Sequence, residues 1–217
     1  LSLGNFAAHA TIAYDMSRAK TTRSLVAGSE IASKYDLGGF IADAAVSYEI
    51  AAGAWSHHLA RKLGDRVPLE TERGYNTTLP GDAFNLRTQV TFGGHGFVVT
   101  RLSSGIRVGG AVELGGLDLP PNFRRSQAML DKAARFLPGL RTTGGRQWMG
   151  FRPSLPDSLP AIGPLPGRPD VICAFGHGHL GLTQSAGTAR ILADLLTGAT
   201  PPIDLAPFSP ARFLRRR

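Results

Sequence analysis

Cofactor chemistry needs residue types and spacing that one stretch of this chain supplies: Gly176-His177-Gly178-His179-Leu180-Gly181, with Thr183 just beyond. The apolar run 171–175 leads into it and a helical pattern over residues 183–196 leads out, so the segment reads as strand, tight turn and helix start. Glycines let a backbone approach a ligand closely, and the free N–H groups at a helix start favour negative charge or polar acceptors. The spelling is G-x-G-x-x-G, the fingerprint of a dinucleotide loop. An ordinary Rossmann site needs a further strand after the helix, ending in an acidic residue. Here the helix meets Gly198 and then Pro201-Pro202, and Asp194 falls inside the helical pattern. A plain tight turn is the other reading of the same residues. His177 and His179 form H-x-H, but no cysteine or carboxylate ligand stands near them, so no metal site is expected. A second strand–glycine–helix junction precedes it: the apolar run 44–52, then Gly53-Ala54-Trp55, then a helix over 56–63.

The elements that must hold these junctions come from a chain of 217 residues, long enough for one large domain or two small ones. Apolar residues make up 42% and charged residues 18%, a globular balance. No run is long enough for a membrane-spanning helix and no signal peptide opens the sequence. The one cysteine, Cys173, excludes an internal disulfide and points to a reducing compartment, the cytoplasm. Net charge is +8, partly from Arg212 and Arg215-Arg216-Arg217. The other basic residues are scattered, with no stripe interleaved with aromatics, which argues against a nucleic-acid partner.

Along the chain, a short helix is expected over 24–35, followed by a turn. The pattern becomes β-rich after Val67. Strands are expected over 69–79, 86–92, 96–101 and 105–113. A helix over 123–137 follows, capped by Asn122, and then a strand over 147–151. A proline-rich connection over 152–169 precedes the strand at 171. An antiparallel block between two strand–turn–helix units defines the fold class as α+β: a mixed or antiparallel sheet domain with part of a dinucleotide-binding α/β domain.

Several segments, taken in order, carry a resemblance. They are Ala51-Ala52-Gly53-Ala54-Trp55-Ser56, Glu70-Thr71-Glu72-Arg73-Gly74-Tyr75, Arg107-Val108-Gly109-Gly110, Trp148-Met149-Gly150-Phe151-Arg152-Pro153, Pro156-Asp157-Ser158-Leu159-Pro160-Ala161-Ile162-Gly163 and the 176–181 loop. Together they resemble the flavin-dependent D-amino-acid dehydrogenase and oxidase family, glycine oxidase-like enzymes included, with the dehydrogenase branch nearer. The resemblance spans about residues 44–208. It implies FAD as cofactor, a partial FAD-binding domain in 44–66 and 152–208, a substrate domain in 67–151 and a basic tail in 209–217. Residues 1–43 stay unassigned. The family's N-terminal FAD fingerprint has no match there, so the expectation is the C-terminal portion of such an enzyme.

The resemblance places Arg152 at the substrate-carboxylate arginine, where a planar guanidinium suits a carboxylate; the alternative is a surface salt bridge. It places Gly176, His177, Gly178, His179, Leu180, Gly181 and Thr183 against the flavin ring, and Gly53, Ala54 and Trp55 on the other side of the FAD site. Arg73 and Tyr75 are candidate substrate residues, with a structural role the open alternative. The implied substrate is a D-amino acid, with Leu117-Asp118-Leu119-Pro120-Pro121-Asn122 resembling the proline-type branch. The implied electron acceptor is one other than oxygen, which makes a peripheral contact with the inner membrane face an open alternative. Two rivals remain at this stage: a non-catalytic remnant that binds a carboxylate or a partner chain, and a module for anionic surfaces.

Overall fold

The computed structural model describes residues 10–13, 20–24, 36–37, 40–41 and 46–214. The chain divides into two compact units, Leu1–Leu69 with Pro153–Arg217, and Glu70–Arg152. The helix expected over 24–35 lies outside the described residues, except for its first residue, which ends a strand. Arg215, Arg216 and Arg217 also lie outside them.

The discontinuous unit is built on a five-stranded sheet. Its strands are β1 (Ala10–Ala13), β2 (Lys20–Ser24), β5 (Val46–Ile50), β11 (Ala161–Leu165) and β12 (Arg168–Phe175), in the order β1-β2-β5-β12-β11. A two-residue pair, β3 (Asp36–Leu37) and β4 (Phe40–Ile41), stands apart. β5 runs parallel to both β2 and β12, with Cys173 beside Ile50, while β11 pairs antiparallel to β12. With strands on both sides, β12 must be apolar throughout its second half, and Val171 to Phe175 are all buried. Ile50, Val67, Leu69, Leu155 and Leu165 close the core around it, and α1 (Ser56–Lys62) adds Ala60. Each such side chain stabilises the fold by about 1.5–3 kcal/mol through burial. Residues 161–165 correct the expectation of an irregular connection. Pro164 removes a backbone donor, but β11 is the edge strand, where that loss is tolerated. α3 (Gly181–Thr197) follows β12 through the glycine loop.

The continuous unit is a five-stranded sheet covered by one helix. Its strands are β6 (Glu70–Leu79), β7 (Val90–Phe92), β8 (Phe97–Leu102), β9 (Gly105–Leu114) and β10 (Arg146–Ser154), in the order β10-β6-β9-β8-β7. α2 (Arg124–Phe136) packs across β6, β8 and β9. Its Leu130 and Ala133 join Leu79, Phe97, Val99, Ile106 and Val108 in the core. β6 shows how the sheet is sided. Thr71, Arg73, Tyr75, Thr77 and Leu79 alternate onto the buried face, leaving Glu72, Gly74 and Asn76 on the other. Asn122 does not cap α2 as expected. Phe123 stands in the cap position, so the first helical turn lacks a side-chain cap; separately, the Asn122 N–H donates to the Tyr75 hydroxyl at 3.0 Å.

Candidate functional site

The chemistry-bearing residues fall in both units. In the continuous unit, β10 is an edge strand next to β6 and carries Arg152 near its end. The guanidinium lies directly over Gly74 of β6: a Cβ at position 74 would fall on its carbon and nitrogens. Gly74 therefore serves as a cradle, a close approach only glycine allows. Arg152 Nη1 is buried and has no hydrogen-bond partner among the described residues. Burial draws the Arg152 pKa below its ordinary value, and the negative charge of Glu72 opposes that shift. An arginine stays protonated at neutral pH even so. The site thus offers a positive, partly desolvated donor, the arrangement that binds a carboxylate tightly. On the same strand, the Trp148 indole folds over Gly150, and Trp148 is 55% exposed. Sequence reasoning missed Gly74. An isolated glycine inside an alternating strand was the available signal.

Arg73 and Tyr75 are not brought to Arg152. Strand alternation turns them to the opposite, buried face. Arg73 is 0% exposed and donates to three carbonyls: Nε to Gly116 O (2.6 Å), Nη2 to Leu119 O (2.7 Å) and Nη1 to Pro120 O (3.2 Å). Its Nη1 also lies 3.7 Å from Glu113. The Tyr75 hydroxyl donates to Glu113 Oε2 and accepts from Asn122 N–H. These bonds tie down the 115–122 segment and support the structural alternative for both residues.

In the other unit, the loop after β12 has the expected strand–turn–helix form. Gly176 has φ +86°, and a side chain there would strike Leu155. The Gly178 N–H donates to Pro153 O at 2.7 Å. His177 turns its ring inward, with Nε2 3.0 Å from Thr188 Oγ1 of α3. Burial pulls the His177 pKa below its ordinary value, so the ring is neutral at neutral pH. His179, Leu180, Gly181 and Thr183 follow on the exposed side or on the first turn of α3. Among the described residues no side chain caps that turn, and the turn holds no acidic residue of its own to offset its dipole. Gly53, Ala54 and Trp55 form a short 3-10 turn after β5, with Ala54 buried and Trp55 51% exposed. Cys173 is out of redox play: burial, then the charge of Asp65, pushes its thiol up to about 12. Among the described residues, no three of His, Cys, Asp or Glu gather where they would hold a metal ion, and no helix is long and apolar enough to cross a membrane.

These features fit a flavin. The uncapped, acid-free start of α3 suits the polar edge of the ring, where negative charge gathers on reduction. Comparison with known proteins agrees. Residues 21–195 match the family described as FAD dependent oxidoreductase. A D-amino-acid oxidase from Bradyrhizobium diazoefficiens is 42% identical over 205 residues, covering 91% of this chain and 47% of that protein. A D-amino acid dehydrogenase from Paramagnetospirillum magneticum is 40% identical over 164 residues, covering 74% and 39%. The crystal structure of glycine oxidase from Geobacillus kaustophilus superposes with a TM-score of 0.69 at 26% identity, covering 81% of this chain and 47% of that one. The chain belongs to the FAD dependent oxidoreductase family, whose cofactor is FAD. It spans less than half the length of these relatives. The family match begins at residue 21, inside the stretch that motif reading left unassigned.

Proposed function

We propose that this chain carries the substrate-holding and flavin-facing residues of an enzyme that oxidises a D-amino acid to its imino acid, which water hydrolyses to the 2-oxo acid. The observation that supports it most is Arg152, a half-buried guanidinium whose buried Nη1 lacks a partner among the described residues and whose space is kept by Gly74. The names of the two relatives supply the D-amino-acid class. Arg152 binds and orients the carboxylate, which fixes the Cα of the substrate. The chemistry FAD supplies when bound is acceptance of a hydride from that Cα. The residues in a position to hold FAD are Gly53, Ala54 and Trp55 on one junction and Gly176, His177, Gly178, His179, Leu180, Gly181 and Thr183 on the other. His177, neutral and engaged with Thr188, shapes the loop rather than moving a proton. An electron acceptor other than oxygen and a proline-type substrate belong to the same proposal.

The test is the visible spectrum of the purified chain with added FAD. The expected result is a retained flavin band that bleaches anaerobically with D-amino acids, and that Arg152→Met retains without bleaching. A chain that never takes up FAD overturns catalysis by this chain alone. A flavin band that bleaches equally in Arg152→Met overturns the role of the arginine.

A further inference from the structure

Asn76 stands two residues after Gly74 on β6, so its side chain leaves the face of the sheet that carries the Arg152 guanidinium. Two residues along a strand span roughly 6.5–7 Å, so one small molecule reaches both positions. The register places Gly109 of β9 opposite Asn76, and a Cβ on Gly109 would lie 3.3 Å from the Asn76 Cβ. A glycine there keeps a second side chain out of the space beside Asn76. Asn76 Oδ1 is buried and has no hydrogen-bond partner among the described residues. A buried amide oxygen without a donor has lost its water and gained nothing, so its natural partner is a molecule the protein binds. One face of the continuous unit therefore carries an unpaired donor, Arg152 Nη1, and an unpaired acceptor, Asn76 Oδ1.

An α-amino acid presents the complementary pair. Its carboxylate accepts hydrogen bonds and its amino group, one carbon away, donates them. We propose that Asn76 Oδ1 accepts a hydrogen bond from the amino group of the substrate whose carboxylate Arg152 holds. The assignment rests on the carboxylate reading of Arg152 and narrows the substrate class to α-amino acids that carry an N–H. Simple carboxylates and 2-hydroxy acids of the same shape gain only the Arg152 half of the site, or a weaker donor for the other half.

The experiment uses ligands that bind without turnover. 2-Aminoisobutyrate has no hydrogen on Cα and cannot lose a hydride, and isobutyrate is its counterpart without the amine. Both are titrated calorimetrically into the full chain with FAD. The expected wild-type result is binding of 2-aminoisobutyrate about tenfold or more tighter than isobutyrate, as for a hydrogen bond from a charged donor. Asn76→Ala is expected to erase that advantage and to leave isobutyrate within about twofold of wild type, within the scatter of a change that touches no carboxylate contact. Arg152→Met is expected to abolish binding of both. Equal wild-type affinity for the two ligands overturns the Asn76 assignment without need of any variant, which covers the case of an Asn76→Ala chain that does not fold. An amine advantage that survives Asn76→Ala overturns it too. In both cases isobutyrate binding that depends on Arg152 leaves the carboxylate reading standing. Binding of neither ligand, or binding indifferent to Arg152, overturns both readings together.

Discussion

Arg73 and Arg152 stand on opposite faces of one sheet and are buried for different reasons. Arg73 is enclosed and saturated: three carbonyls and the Glu113 carboxylate surround its guanidinium, and the 115–122 segment hangs on it. Arg152 is half-buried, rests on a glycine and leaves Nη1 without an acceptor. A buried cation with all its donors satisfied is a structural fastener. On the proposed reading, a partly buried cation with a donor to spare is a binding group, and the acceptor it lacks is the one a ligand brings.

Breaking the two arginines in turn gives the sharpest contrast. Arg73→Met leaves the Gly116, Leu119 and Pro120 carbonyls without their donor, and it is expected to destabilise the chain by about 3–5 kcal/mol, measured by urea unfolding. Arg152→Met removes no hydrogen bond within the protein from Nη1. Its unfolding midpoint is expected to stay at or slightly above wild type, even as the carboxylate site is lost. If the two substitutions destabilise equally, the distinction between fastener and binding group fails.

Gly74→Ala sharpens the same contrast with a smaller effect. The added methyl occupies the place of the Arg152 guanidinium, which must swing away on its flexible stem. Steady-state kinetics on the FAD-loaded chain is expected to show KM for the amino acid rising about tenfold, as when one charged hydrogen bond is lost, with stability near wild type. An unchanged KM would mean that the guanidinium binds from another position.

The smallest effect lies in the other unit, where His177 is half-buried, bonded to Thr188 through Nε2, and neutral. Burial holds its pKa below the ordinary 6.5, so the folded chain takes up its proton less readily than the unfolded chain. Its contribution to stability is therefore full above that value and declines as pH falls through it toward the folded pKa. Melting curves between about pH 7 and about pH 5 are expected to show a steeper loss for wild type than for His177→Gln. Parallel curves would remove His177 as the cause.

Much of this architecture is legible in the residues. The run from Val171 to Phe175 has the composition a central strand needs, and the G-x-G-x-x-G spelling gives the turn and helix start after it. The ordered motifs carry the family and its cofactor. What stayed hidden depends on pairing. Pro164 disguises a strand, since nothing in the sequence says that it lies at the edge of a sheet, where a proline is tolerated. Asn122 has the chemistry of a cap, but the helix starts one residue too late for it, with Phe123 in the cap position. Arg73, Gly74, Tyr75 and Asn76 are consecutive, and only the side of the sheet that α2 covers decides which two lie on the face that carries the Arg152 guanidinium.

The parallel alignment of β5 with β12 also bears on how the chain assembles. Val171 pairs with Tyr48, and the entire Glu70–Arg152 unit is synthesised between them. During translation β5 leaves the ribosome long before the strand that completes its sheet, and its free edge is a template for wrong pairing in the interval. The continuous unit needs no residue made later than its own, so it matures first. Closure of the discontinuous unit waits for a contact of long sequence separation and is expected to be the slower step.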